Sequence, residues 1–197
     1  MRVPTFRAVA VTLGLALGLS TALVAAHSST ARAATATHRE SFERGMGGWR
    51  PDTDGRAFAW KLTRSTTRAA DGTVGLAYYL DGGGDDGTGW IERAYRARPH
   101  ATVTVTLSFQ VWAPRASDLN NWLVVGYAGA RDPGAEEDFT VIGQTDRAAG
   151  WTRYTLTRAV DTGGTGTVWV AAGISVVWES VRTYSVDLVE TTLSTGY

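Results

Sequence analysis

From residue 102 to residue 112 the chain alternates strictly. Val103, Val105, Leu107, Phe109 and Val111 fall on one side, and Thr102, Thr104, Thr106, Ser108 and Gln110 on the other. Period-2 alternation of this length predicts a strand with one buried and one polar face. The three threonines on the polar side suit a strand as well. A second long run covers 167–179, where Val168, Val170, Ala172, Ile174, Val176 and Trp178 share one parity and Gly173 marks a bend. Shorter strands are expected at 57–62, 75–80, 89–95, 122–127, 139–143, 151–157 and 183–189. Turn residues punctuate the gaps: Pro51-Asp52, the Gly/Asp run from Asp81 to Gly89, Ala113-Pro114, Asp132-Pro133-Gly134 and Asp161 to Gly164. The run from Asp81 to Gly87 lacks the acid spacing of a calcium loop and reads as a solvated hairpin. No 3.6-residue period is sustained after residue 37. Nine short strands with turn signals between them predict an all-β, single-domain antiparallel sandwich.

The N-terminus is different. Arg2 and Arg7 precede 19 uncharged residues, 8–26, and Ala31-Arg32-Ala33 fits a small-residue cleavage site. This order is that of a secretory signal peptide. Residues 1–33 are therefore expected to be removed and 34–197 to be the secreted, extracellular domain. No later run is long and apolar enough to cross a membrane, so none is expected to hold the processed protein there.

Composition narrows the chemistry. The 197 residues include eight tryptophans and no cysteine. That excludes disulfides, cysteine zinc sites and cysteine nucleophiles. Without the three arginines of residues 1–33, 16 basic residues face 19 acidic ones, which is no footprint for nucleic acid. The histidines are His27, His38 and His100; neither an HExxH motif nor a Gly-x-Ser-x-Gly elbow occurs in the processed chain. His38 and His100 both sit in loop-like sequence. Nothing in the sequence speaks to oligomeric state.

Four segments then come together. Ser41-Phe42-Glu43 is followed by Gly45, Gly47, Gly48 and Trp49; later come Ala70 to Leu76, Trp151-Thr152-Arg153-Tyr154-Thr155-Leu156 and Tyr184-Ser185-Val186-Asp187-Leu188-Val189. In this order they resemble the jelly-roll carbohydrate-binding-module superfamily, the galactose-binding-like sandwiches with an opening "FE…GW", a "WxxYxL" strand and a closing "YxxDxV". The resemblance spans nearly the whole body and implies a jelly-roll β-sandwich. It also implies a structural calcium joining first and last strands. Glu43 and Asp187 would supply side chains, and backbone oxygens near Asp71 and Ser41 the rest.

A sugar site needs aromatic faces for pyranose rings and polar groups for hydroxyls. Candidates are Trp112 and Gln110 on one strand face, Trp169, Tyr79, and Trp122 beside Asn120 and Asn121. Trp49 and Trp178 read as core. Glu92, Arg93, Glu179 and Arg182 would share a patch if their strands meet, either to read acidic sugars or to pair at a strand end. The reading is a non-catalytic carbohydrate-binding protein whose partner is a polysaccharide or cell-surface glycan. One alternative is a small glycosidase or lyase: Glu92 with Glu179 would form the carboxylate pair, and Arg93, Arg182, Gln110, His100 and Tyr184 supply lyase types. The other is a protein-interaction or coat domain with an apolar patch.

Overall fold

The computed structural model describes residues 34–56, 59–81, 86–114, 116, 122–176 and 181–195. The expected leader, the glycines after Asp81, Asn120, Asn121, Trp178 and Glu179 lie outside them. Eleven strands follow in order: β1 (Thr35–Glu40), β2 (Arg50–Thr53), β3 (Ala59–Ser65), β4 (Gly75–Asp81), β5 (Thr88–Arg96), β6 (Thr102–Ala113), β7 (Leu123–Gly129), β8 (Thr140–Gln144), β9 (Gly150–Asp161), β10 (Thr167–Ser175) and β11 (Val181–Thr195). All nine expected strands are present. Two further ones are not read from sequence. β1 contains His38, which is therefore on a strand and not in a loop. β2 contains Pro51-Asp52, which the sequence pattern reads as a turn. β2 lies at a sheet edge, where a missing N–H is tolerated.

Sheet A has the order β3-β4-β11-β6-β9, with β1 also paired to β11; sheet B runs β2-β5-β10-β7-β8. Every pairing is antiparallel. From β4 onward the chain steps between the sheets in the jelly-roll wrap: β4, β6, β9 and β11 in one, β5, β7, β8 and β10 in the other.

The inner faces of the two sheets make one core. β6 sends in Val103, Val105, Leu107, Phe109 and Val111, the parity read from sequence, and β10 sends in Val168, Val170, Ala172 and Ile174. The 15-residue β11 pairs with β4 through residues 181–186 and with β1 through residues 189–194. A β-bulge separates the halves: Asp187 faces Gln110 and Glu190 faces Ser108, so β11 has one residue more than β6. Leu188 takes a left-handed φ of 52° at this point. The extra residue keeps Val186 and Val189 both in the core while Asp187 and Glu190 both lie on the outer face of sheet A, where Asp187 is covered.

Candidate functional site

The outer face of sheet A follows from the register. Trp112 of β6 stands directly opposite Trp151 of β9, and on its other side opposite Ser185 of β11, which faces Ala77 of β4 and then Thr63 of β3. In the next row Gln110 lies between Asp187 and Arg153. On the other side Tyr79 lies between Lys61 and Thr183. Directly opposed side chains on neighbouring strands have Cβ atoms about 5 Å apart. Two indoles thus stand side by side, half-buried, among hydroxyl, amide and cationic groups.

The segment joining β3 to β4, residues 66–74, folds over this face and forms one wall. The buried Asp187 carboxylate holds it: Oδ2 accepts the amides of Ala70 at 2.7 Å and Asp71 at 3.0 Å, while Oδ1 accepts that of Leu188 at 2.7 Å. Gly75 admits the close approach, because a Cβ there would lie 2.7 Å from the Arg68 carbonyl oxygen. The wall places the Arg68 guanidinium 3.4 Å above the centre of the Trp112 ring. A groove of about 440 Å³ remains, lined by Thr66, Thr67, Arg68, Thr73 and Trp151. That volume lies within the usual range of ligand pockets.

The outer face of sheet B is partly covered by its own chain. Residues 130–139 lie across it, with the Phe139 ring 4.8 Å from that of Trp90 and 5.9 Å from that of Tyr127. Arg50 Nε donates to Glu92 at 2.7 Å, its Nη2 donates to Asp132 at 2.7 Å, and the guanidinium sits 4.9 Å over Trp169. Trp90 Nε1 donates to the other Glu92 oxygen at 2.8 Å. Glu92 is fully buried. Burial raises its carboxyl pKa, and the hydrogen bonds from Trp90 and Arg50 act against that rise. A larger groove of about 720 Å³ runs beside Tyr127, Arg131, Asp138 and Arg158. Its Arg131 and Asp138 pair with one another.

The sequence candidates separate accordingly. Tyr79, Gln110 and Trp112 come together on sheet A. Trp169 is on the opposite face of the molecule, under Arg50. Trp122 is not a surface residue. It shares inward parity with Val124, is fully buried, and meets the Tyr184 ring edge-on at 5.8 Å. Trp49 is core, as expected. The expected patch of Glu92, Arg93 and Arg182 does not form. Glu92 faces outward on β5 and pairs with Arg50; Arg93, one residue on, has the opposite parity and lies 4.9 Å over Tyr95; Arg182 is on sheet A, opposite Leu80. Trp151, Arg153 and Arg68 are the members that sequence reasoning missed. Trp151 and Arg153 share the outward parity of Thr155 and Thr157, a signal present in the sequence. Arg68 carries none.

The implied calcium ligands do not fit a cation as arranged. Glu43 Oε1 accepts the amides of Thr73 and Val74, both at 2.7 Å, and the three amides above occupy Asp187. Asp71 pairs with Arg39 at 3.0 Å. Beyond Ser41, the carbonyls of Phe42 and Glu43 accept the Arg64 guanidinium at 2.8 Å each. Calcium needs several oxygen lone pairs turned toward it. Here they face N–H groups. Among the described residues no cluster of three or more His, Cys, Asp or Glu side chains forms.

The Glu43 contacts set a pH response. The amides of Val74 and Thr73 hold its carboxyl below the ordinary 4.5. A depressed folded pKa stabilises fully above the unfolded value and loses that contribution as pH falls through the lowered one. Acidification below about 4.5 is expected to loosen the 72–74 turn. Amide exchange at Thr73 and Val74 measures this, and Glu43→Gln should remove the acid step.

No family model matches the chain, and no curated protein matches it. Solved structures do share its fold. A structure from work on promiscuous carbohydrate-binding modules of the β-sandwich superfamily matches at TM-score 0.55 and 19% identity, over 76% of this chain. The chain spans 59% of that one. A mannan-recognising module, TmCBM27, matches at TM-score 0.52 and 12% identity, over 85% of this chain and 100% of its own. A cleaved adhesin domain of Lys-gingipain from Porphyromonas gingivalis matches at TM-score 0.53 and 17% identity, over 81% of this chain and 99% of its own. At these identities the likeness is one of fold: the chain is an antiparallel β-sandwich.

Proposed function

We propose that this chain is a secreted, non-catalytic carbohydrate-binding protein that takes a polysaccharide or cell-surface glycan on the outer face of sheet A. The observation that carries this reading is the direct opposition of Trp112 and Trp151 beside Gln110, Arg153 and Ser185. The Trp151 indole, which lines the groove, suits the C–H side of a pyranose, and the flanking amide, guanidinium and hydroxyl groups suit its hydroxyls. The signal-peptide order of residues 1–33 supports secretion. The non-catalytic part is supported by Glu92, whose carboxylate is sealed from solvent and engaged by Arg50 and Trp90. A glycosidase carboxylate must reach its substrate.

The test is retention of the purified protein on a panel of insoluble polysaccharides, with calcium and with chelator. The soluble fraction is assayed for reducing ends and unsaturated product. Retention without product, equal in both buffers, is expected. Product release would overturn the non-catalytic reading, and retention on no polymer would remove glycans as the partner.

A further inference from the structure

We infer that the glycan held on sheet A is anionic, and that Arg68 reads its carboxylate or sulfate group. This rests on the reading of that face as the glycan site. Among the described residues, the acids around Arg68 are already engaged: Asp71 by Arg39, Asp187 by three amides, Glu43 by the amides of Thr73 and Val74. Arg39, Arg50, Arg56, Arg131 and Arg153 each lie within ion-pair distance of a carboxylate, and Arg64 donates to two carbonyls. Arg68 makes no such contact among these residues, and neither does Arg93 over Tyr95; what distinguishes Arg68 is its place in the lining of the sheet A groove. Arg68 is exposed and lies flat on Trp112.

A stacked guanidinium uses its π-face, which leaves the N–H donors along its edge for a second partner. That edge borders the groove whose other side is Trp151, with the Thr66 and Thr73 side chains beside it. A ring resting on Trp151 thus lies next to a planar cation whose donors match a carboxylate or sulfate. Lys61 adds charge of the same sign across the face, whereas Arg153 is offset by Glu190 at 3.6 Å. The chain from residue 34 onward has more acidic than basic residues, so general attraction to polyanions does not account for such binding.

The test compares the purified protein on polygalacturonate, on a sulfated glucan and on neutral xylan and mannan, at low and high salt. Stronger, salt-sensitive binding to one or both anionic polymers is expected. The polygalacturonate and sulfated arms separate carboxylate from sulfate. Arg68→Gln should weaken anionic binding about 10- to 100-fold, the range for a charge-assisted hydrogen-bonded contact. The loss on neutral polymers should be much smaller, and Tm should stay near that of the parent, since Arg68 is exposed. Arg68→Lys should restore only part, since it keeps charge without the planar fork. Preference of the unaltered protein for neutral polymers overturns the inference while leaving the glycan reading in place. Equal loss on neutral and anionic polymers in Arg68→Gln also overturns it, reducing Arg68 to a prop for Trp112. Binding to no polymer overturns both.

Discussion

Trp151→Ala is expected to abolish retention on polysaccharide, and Trp169→Ala to leave it intact. The first change removes the indole that walls the groove on sheet A. Buried tryptophans at the centre of a binding surface commonly contribute about 2 kcal/mol or more, a loss of about 30-fold in affinity. For a ligand held by few contacts, that is enough to move it from the bound to the unbound fraction. Trp112→Ala should act indirectly, because it takes away the surface on which Arg68 rests. Because the two indoles are direct neighbours, the double variant should fall short of the sum. The measurement is affinity electrophoresis in gels containing the retained polymer, with thermal unfolding to confirm that each variant folds. If Trp169→Ala abolishes retention and Trp151→Ala does not, the glycan lies on sheet B and residues 130–139 must move aside for it.

The second large effect falls on stability. Asp187→Ala leaves three amide donors, those of Ala70, Asp71 and Leu188, without their acceptor. Hydrogen bonds to a charged group contribute about 1.5–3 kcal/mol each; burial, which raises the Asp187 carboxyl pKa, offsets part of this, and water recovers part of the loss at the surface segment. A net cost of about 3 kcal/mol lowers Tm by about 6–12 °C for a domain of this size. Residues 66–74 should also become sensitive to protease, since the same carboxylate holds that wall to the sheet. Asp187→Asn keeps one acceptor oxygen and should fall between the two. A Tm within a degree of the parent in Asp187→Ala would show that the bulge and the wall hold without the carboxylate.

The strands were legible because their side chains alternate between oil and water. β6 was expected at 102–112 and spans Thr102–Ala113, with the inward set unchanged. β1 carries no such signal because its residues are polar and its order comes from pairing with β11, about 150 positions away. The site was partly legible for the same reason. Parity identifies which face Trp112 occupies, and the same rule applied to 151–157 would have found Trp151. Trp122 misled because a strand start beside two asparagines resembles a rim, whereas its parity with Val124 takes it inward. Parity cannot say which loop crosses a face. Arg50 reaching Glu92, and Arg68 reaching Trp112, depend on the path of connecting segments, and no local pattern encodes that.

The pairing of β1 with β11 has a mechanical consequence. Thr35 stands opposite Ser194, and the Thr195 amide donates to the Ala34 carbonyl at 3.0 Å. The two strands are antiparallel, so a load applied through Ala34 and Thr195 meets their hydrogen bonds one at a time, like a zipper opened from its free end. Strands pulled past one another would instead share the load among many bonds at once. The edge of sheet A should therefore yield early to tension. The Trp112 and Trp151 platform, on the strands that pair with the far side of β11 and beyond, is not in the line of force until β1 has peeled away. Tension applied at Ala34 and Thr195 should therefore open the β1–β11 pair before it reaches the face that carries the two indoles.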